Sequence, residues 1–114
     1  MTEKSKKYLS DILMAITLIE EFTVDVNDYN TYNTDRKTQS AVERQLAIVG
    51  EALTQLRKFE PDIIIENDKQ IIGFRNRLIH SYDSIDNSIV WVIIQRHLKF
   101  LKQDILLLIN NLSS

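Results

Sequence analysis

Val42, Leu46, Val49, Leu53 and Leu56 follow one another at spacings of four, three, four and three residues. That rhythm fits one side of an α-helix, with its turn of about 3.6 residues, and does not fit a strand. It makes a narrow apolar seam of the kind helices bury against one another. Gly50 lies inside the seam, where a glycine costs about 1 kcal/mol against alanine. A close approach of a second helix at that point accounts for it. The whole chain has two glycines and one proline in 114 residues, too little turn chemistry for a sheet-rich fold. The expectation is an all-α fold, an antiparallel four-helix bundle with short extra helical turns.

The other segments read the same way. Tyr8, Ile12, Ala15, Ile16, Ile19 and Phe22 place a first helix from about Lys4 to Thr23. Between Asp25 and Asn33 three asparagines and two aspartates favour turns. This stretch is expected to be a loop holding at most a turn of helix, anchored on the bundle by Tyr29 and Tyr32. The second helix starts between Thr34 and Ser40. Ser40 with Glu43 has the capping-box form, and Thr34 or Asp35 serves equally well. Glu60-Pro61 ends that helix, because a residue before proline is pushed out of the α region. Ile63-Ile64-Ile65 is expected to be an apolar connection capping the bundle end. Asn67 or Asp68 caps a third helix that ends near Tyr82. Asp86 caps the last helix, running to about Asn111 with Ile89, Ile93, His97, Leu101, Ile105, Leu108 and Leu112 on one stripe. His97 is expected to be a satisfied core histidine. No repeat or boundary divides the chain, so residues 1–114 are expected to form a single domain.

Composition excludes several classes of function. There is no cysteine, hence no disulfide and no thiolate chemistry. Met1 to Lys7 is polar and lacks the apolar run of a signal peptide. The longest apolar runs, Ile89–Ile94 and Ile105–Ile109, are far too short to span a membrane. A cytoplasmic protein with no membrane partner is expected. The net charge of −2 argues against a general nucleic-acid binder, but the distribution is uneven. Lys69 to Lys102 holds six Lys/Arg against two Asp/Glu, and both histidines. A basic cleft is one use of that split, and a set of solvated helix faces is another. No metal-ligand spacing, phosphate loop or nucleophile elbow is present.

Chemistry concentrates in Arg75-Asn76-Arg77-Leu78-Ile79-His80-Ser81-Tyr82. On a helix of about 100° per residue, Ile71, Leu78, Ile79 and Tyr82 share the side of Arg75. A guanidinium in an apolar stripe is costly unless it is paired or lines a polar cleft. Glu51, off the centre of the α-helical seam, is the candidate partner. Each residue also has a structural reading: a paired Arg75, a His80 favoured at a helix C-terminus, a Tyr82 at the core edge. The chemical reading is metal-free RNA cleavage. Histidine as a residue type can give or take a proton near neutral pH, which makes His80 the candidate to move the 2′-hydroxyl proton. Arg75 offers an always-charged fork for phosphate oxygens. The products would be a 2′,3′-cyclic phosphate and a 5′-hydroxyl.

Arg75, four residues, His80, one residue, Tyr82, with the flanking Asn76, Leu78-Ile79 and Asp83-Ser84-Ile85-Asp86, resembles the signature of HepT-like toxins in the HEPN superfamily of helical ribonucleases. Leu46 to Ala52 is similar to the family's second helix. The likeness runs from about Lys7 to Leu112. It implies a HEPN-like bundle and an endoribonuclease with Arg75 and His80 as catalytic residues. Asn76 and Glu51 support them, and Arg77 contacts RNA. It also implies a homodimer that lines its cleft with Arg75 and His80 from two protomers. The implied partner is a minimal nucleotidyltransferase antitoxin that transfers AMP from ATP to Tyr82. ATP and magnesium belong to that partner, and no cofactor is implied for this chain. Two rival readings are a non-catalytic nucleotide- or RNA-binding module and a helical interaction module of the same fold.

Overall fold

A computed structural model describes residues 1–81 and 85–112. α1 spans Glu3–Phe22, and Thr2 caps it by accepting from the Ser5 N–H at 3.1 Å. α2 is a short helix, Tyr29–Thr34, capped by the Asp28 carboxylate on the Thr31 N–H at 2.8 Å. α3 spans Arg36–Phe59, α4 spans Lys69–Ser81, and α5 spans Asn87–Val92. A π-helical turn, Ile93–His97, joins α5 to α6, Leu98–Leu112. The four long elements form the antiparallel bundle, counting α5, the π turn and α6 as one. No strand occurs among the described residues, and no helix among them is long and apolar enough to cross a membrane.

Of the two starts open to α3, the earlier is the real one. Asp35 ends α2 and caps α3 at once, accepting from the Thr38 N–H at 3.0 Å and its hydroxyl at 2.6 Å. These bonds hold the Asp35 carboxyl below its usual range. Gln39 reaches back to the Tyr32 carbonyl at 2.9 Å, so the α2–α3 corner is closed from both sides. Ser40 and Glu43 therefore sit inside a helix already running. Tyr32 is fully buried against Trp91, ring centres 5.7 Å apart, and this pins α2 on α5. Burial pushes its phenol above the usual range. Its hydroxyl finds no hydrogen-bond partner among the described residues.

The five seam residues of α3 are all fully buried. They meet Leu9, Ile12, Ile16 and Ile19 of α1 in the core, and α3 packs most extensively on α1 and next on α4. At about 25 cal/mol per Å² of apolar surface, each such side chain contributes roughly 1.5–3 kcal/mol. The 60–68 connection is tied down at Arg57. Its Nε donates to the buried Asp68 carboxylate at 2.5 Å and its Nη2 to the Ile65 carbonyl at 2.8 Å. Of the three isoleucines expected to cap the bundle, Ile65 is buried, Ile63 is partly buried and Ile64 is exposed. The short run cannot turn all three side chains inward.

The last helix departs from its expected stripe. Val90, Ile93, Leu98, Leu101 and Ile105 are buried, while Ile89 and His97 are only partly so. The five-residue step from Ile93 to Leu98 falls on the π turn, which absorbs one extra residue and returns the stripe to the core. Leu98, not His97, fills the central place.

Candidate active site

Arg75 is placed by the absence of a side chain opposite it. A Cβ on Gly50 would lie 2.5 Å from the Arg75 Cβ, 2.9 Å from its Cγ and 3.3 Å from the Ile71 carbonyl oxygen. Gly50 thus lets α4 press against α3 where the arginine stem crosses. The guanidinium then reaches the next residue of α3. Arg75 Nη2 donates to Glu51 Oε2, and the Gln55 amide donates to Glu51 Oε1 at 3.1 Å. Arg75 Nη1 donates to the Asn76 side-chain carbonyl at 3.1 Å. The pair stays open to solvent, with side chains 23% and 46% exposed for Arg75 and Glu51. It therefore adds little to stability. Its effect is to hold a cation at one spot, leaving further N–H donors for a phosphate oxygen.

Asn76, Arg77 and His80 are exposed on α4. Arg75 and His80 are five residues apart, about 140° around a helix. One helix therefore aims them to different sides. Arg77 lies close enough to help hold the Asp86 carboxyl below its usual range, an effect owed first to the Ser88 hydroxyl and N–H. Tyr82 lies outside the described residues, as do Asp83 and Ser84. Among the described residues no group of three His, Cys, Asp or Glu side chains stands together as a metal site.

Two cavities border the cluster. One, of about 640 Å³, runs between α1 and α3 from Ser40 to Glu51 and Leu78. Its charges are Asp11, Glu43, Glu51 and Arg44, and burial raises the Glu43 carboxyl above its usual range. The other, of about 360 Å³, lies along α4 and is lined by Arg57, Asp68, Lys69, Ile72, Gly73 and Asn76. Sequence reasoning missed Gln55 as the second clamp on Glu51, and missed Arg57. Gln55 stands four residues after Glu51, the spacing of side-chain pairs on one helix face. Nothing local distinguishes Arg57, because its partners Ile65 and Asp68 come from the far side of a turn.

An arginine fixed at a helix crossing, with an amide beside it and an exposed histidine five residues on, is the cluster this helical bundle presents. Residues 12–107 match the family described as Ribonuclease HepT-like. The chain is 35% identical over 106 residues to "Probable ribonuclease HepT" of Thermococcus cleftensis, covering 90% of this chain and 93% of that one. It is 34% identical over 101 residues to "Putative RNase MJ1380" of Methanocaldococcus jannaschii, covering 88% and 92%. A third relative, "Gamma-glutamylcyclotransferase and putative RNase MJ0434" of the same organism, is 32% identical over 113 residues, which is 98% of this chain and 50% of that one. No solved structure matches. The chain belongs to the HepT-like ribonuclease family.

Proposed function

We propose that this protein is a metal-independent endoribonuclease and the toxin of a toxin–antitoxin pair. His80 moves the 2′-hydroxyl proton, and Arg75 holds the charge that builds on the phosphorus oxygens. The attacking 2′-oxygen displaces the 5′-oxygen, leaving a 2′,3′-cyclic phosphate and a 5′-hydroxyl. The observation that carries this reading is the Arg75 clamp. Gly50, Glu51, Gln55 and Asn76 all serve to fix one partly exposed guanidinium. Because Arg75 and His80 leave one helix about 140° apart, a homodimer supplies them to one phosphate from two protomers. Cleavage of a labelled RNA should vanish in Arg75→Ala and in His80→Ala with the helical signal kept. The double variant should be little worse than either single one. Activity that dies in EDTA and returns with a divalent ion would overturn the metal-free mechanism.

Regulation by a nucleotidyltransferase partner follows from the same reading. The Tyr82 phenol oxygen attacks the α-phosphorus of ATP on the partner, pyrophosphate leaves, and AMP remains on the tyrosine. The adduct places a phosphodiester charge two residues from His80 and blocks RNA. Co-expression with such a partner should give intact-mass steps of one AMP that disappear in Tyr82→Phe. Adducts that map to Tyr29 or Tyr32 would refute the assignment.

A further inference from the structure

The chain spends its two glycines inside helices, and only one is explained by packing. Gly50 makes room for Arg75, whereas a Cβ on Gly73 would meet nothing within 4 Å. Alanine would fit there and would favour the helix. Among the described residues no contact therefore calls for bare backbone at Gly73. On the α4 wheel, Lys69, Gly73, Asn76 and His80 fall within about 60° of one another, so the bare patch lies on the stripe that leads to His80. Gly73 also floors the 360 Å³ cavity.

The cavity walls suit an anion. Lys69 is exposed beside it. Arg57 is held in place by Asp68 and the Ile65 carbonyl yet keeps 38% of its side chain exposed. Its carboxylate neighbour Asp68 is buried and already engaged. Asn76 accepts from Arg75 through its carbonyl, which turns its amide N–H groups the other way. The groove between α1 and α3, with three carboxylates against one arginine, would repel a phosphate backbone.

We propose that this cavity is a phosphate subsite. Resting on the ribonuclease reading above, it holds a phosphodiester of the substrate strand next to the one cut, with the backbone lying directly on Gly73. Lys69 and Arg57 neutralise it, and Asn76 donates a hydrogen bond. Gly73 to His80 is about 10 Å along the helix, within reach of a neighbouring phosphate on the same strand. Bulk at Gly73 should therefore weaken RNA binding while strengthening the helix, opposite signs that a purely structural glycine would not give.

The test uses full-length protein carrying His80→Ala, so that binding is read without cleavage. Fluorescence anisotropy with a labelled single-stranded RNA is paired with thermal melting and sedimentation. Gly73→Leu should raise Kd about tenfold with an equal or higher melting temperature. Lys69→Gln should raise Kd severalfold and flatten the plot of log K against log salt by about 0.7. Unchanged affinity in Gly73→Leu overturns the subsite, as does a change in its sedimentation, which would assign the glycine to a contact between copies. Displacement of the RNA by inorganic phosphate that weakens in Lys69→Gln is expected of a shared site, whereas phosphate that binds through Lys69 without displacing RNA would mark a free-phosphate site and overturn the proposal. Failure of the unsubstituted protein to cleave RNA sinks the ribonuclease reading alone, because the affinity comparison still stands.

Discussion

At the scale of single residues, Gly50 and Arg75 behave as one unit. Alanine is the better helix former by about 1 kcal/mol, yet at position 50 its Cβ would sit 2.5 Å from the Arg75 Cβ. Neither atom lies at the end of a flexible chain, so the two helices must part. Overpacking of this kind costs about 1–3 kcal/mol, and parting α3 from α4 also moves the guanidinium off Glu51. Gly50→Ala should therefore lower both the melting temperature and RNA cleavage. Gly73→Ala, in open space, should not lower the melting temperature. Equal melting of Gly50→Ala and wild type would show that the crossing is looser than 2.5 Å implies. Gly50 is also where sequence reading works well: an interior glycine in a seam of Val and Leu signals a helix crossing. The identity of what crosses there, an arginine stem, comes only from the fold, because Arg75 is distant in sequence.

At the scale of elements, helix existence was legible and helix detail less so. The period of residues 42–56 survives intact, and that of the first helix holds from Ile12 to Ile19, while at its ends Tyr8 is partly buried and Phe22 is exposed, leaving Leu9 in the core. The last helix shows the limit. A reading of Ile89, Ile93, His97 and Leu101 assumes an unbroken period, whereas the burial of Val90, Ile93, Leu98 and Leu101 contains a step of five. The exposed pair Gln95-Arg96 marks the place where the extra residue bulges outward. Removing one residue there should let Ile93 and Leu98 stand four apart in an ordinary α-helix with both flanking stripes unmoved. Deletion of Gln95 is therefore expected to keep the helical signal and leave the melting temperature within a few degrees. Deleting exposed Gln103, in regular α6, should rotate everything after it by about 100° and lower the melting temperature much further. Equal damage from the two deletions would show that the π turn is not absorbing a residue.

At the scale of the whole molecule, the charge split and the motif geometry meet in one question, whether a single copy can work. Lys69 to Lys102 carries four more positive than negative side chains in a chain of net charge −2. The basic third thus bears most of the attraction for RNA while the remainder opposes it. Within that third, Arg75 turns toward α3 and His80 toward solvent, about 140° apart on one helix. A twofold axis that places one protomer's Arg75 opposite the other's His80 would resolve the divergence and give two equivalent sites. Mixing measures this directly. Arg75→Ala and His80→Ala protomers, each inactive alone, are unfolded together and refolded at equal concentration. Half of the dimers should then be mixed, and each mixed dimer holds one site with neither substitution and one with both. Cleavage should return to about a quarter of the wild-type rate per protomer. Recovery should follow exchange of subunits and be absent when the two proteins are combined without unfolding, if the dimer dissociates slowly. Refolded mixtures that stay as inactive as their components, while sedimenting as dimers, would place Arg75 and His80 of the same protomer at one phosphate or remove one of them from the chemistry.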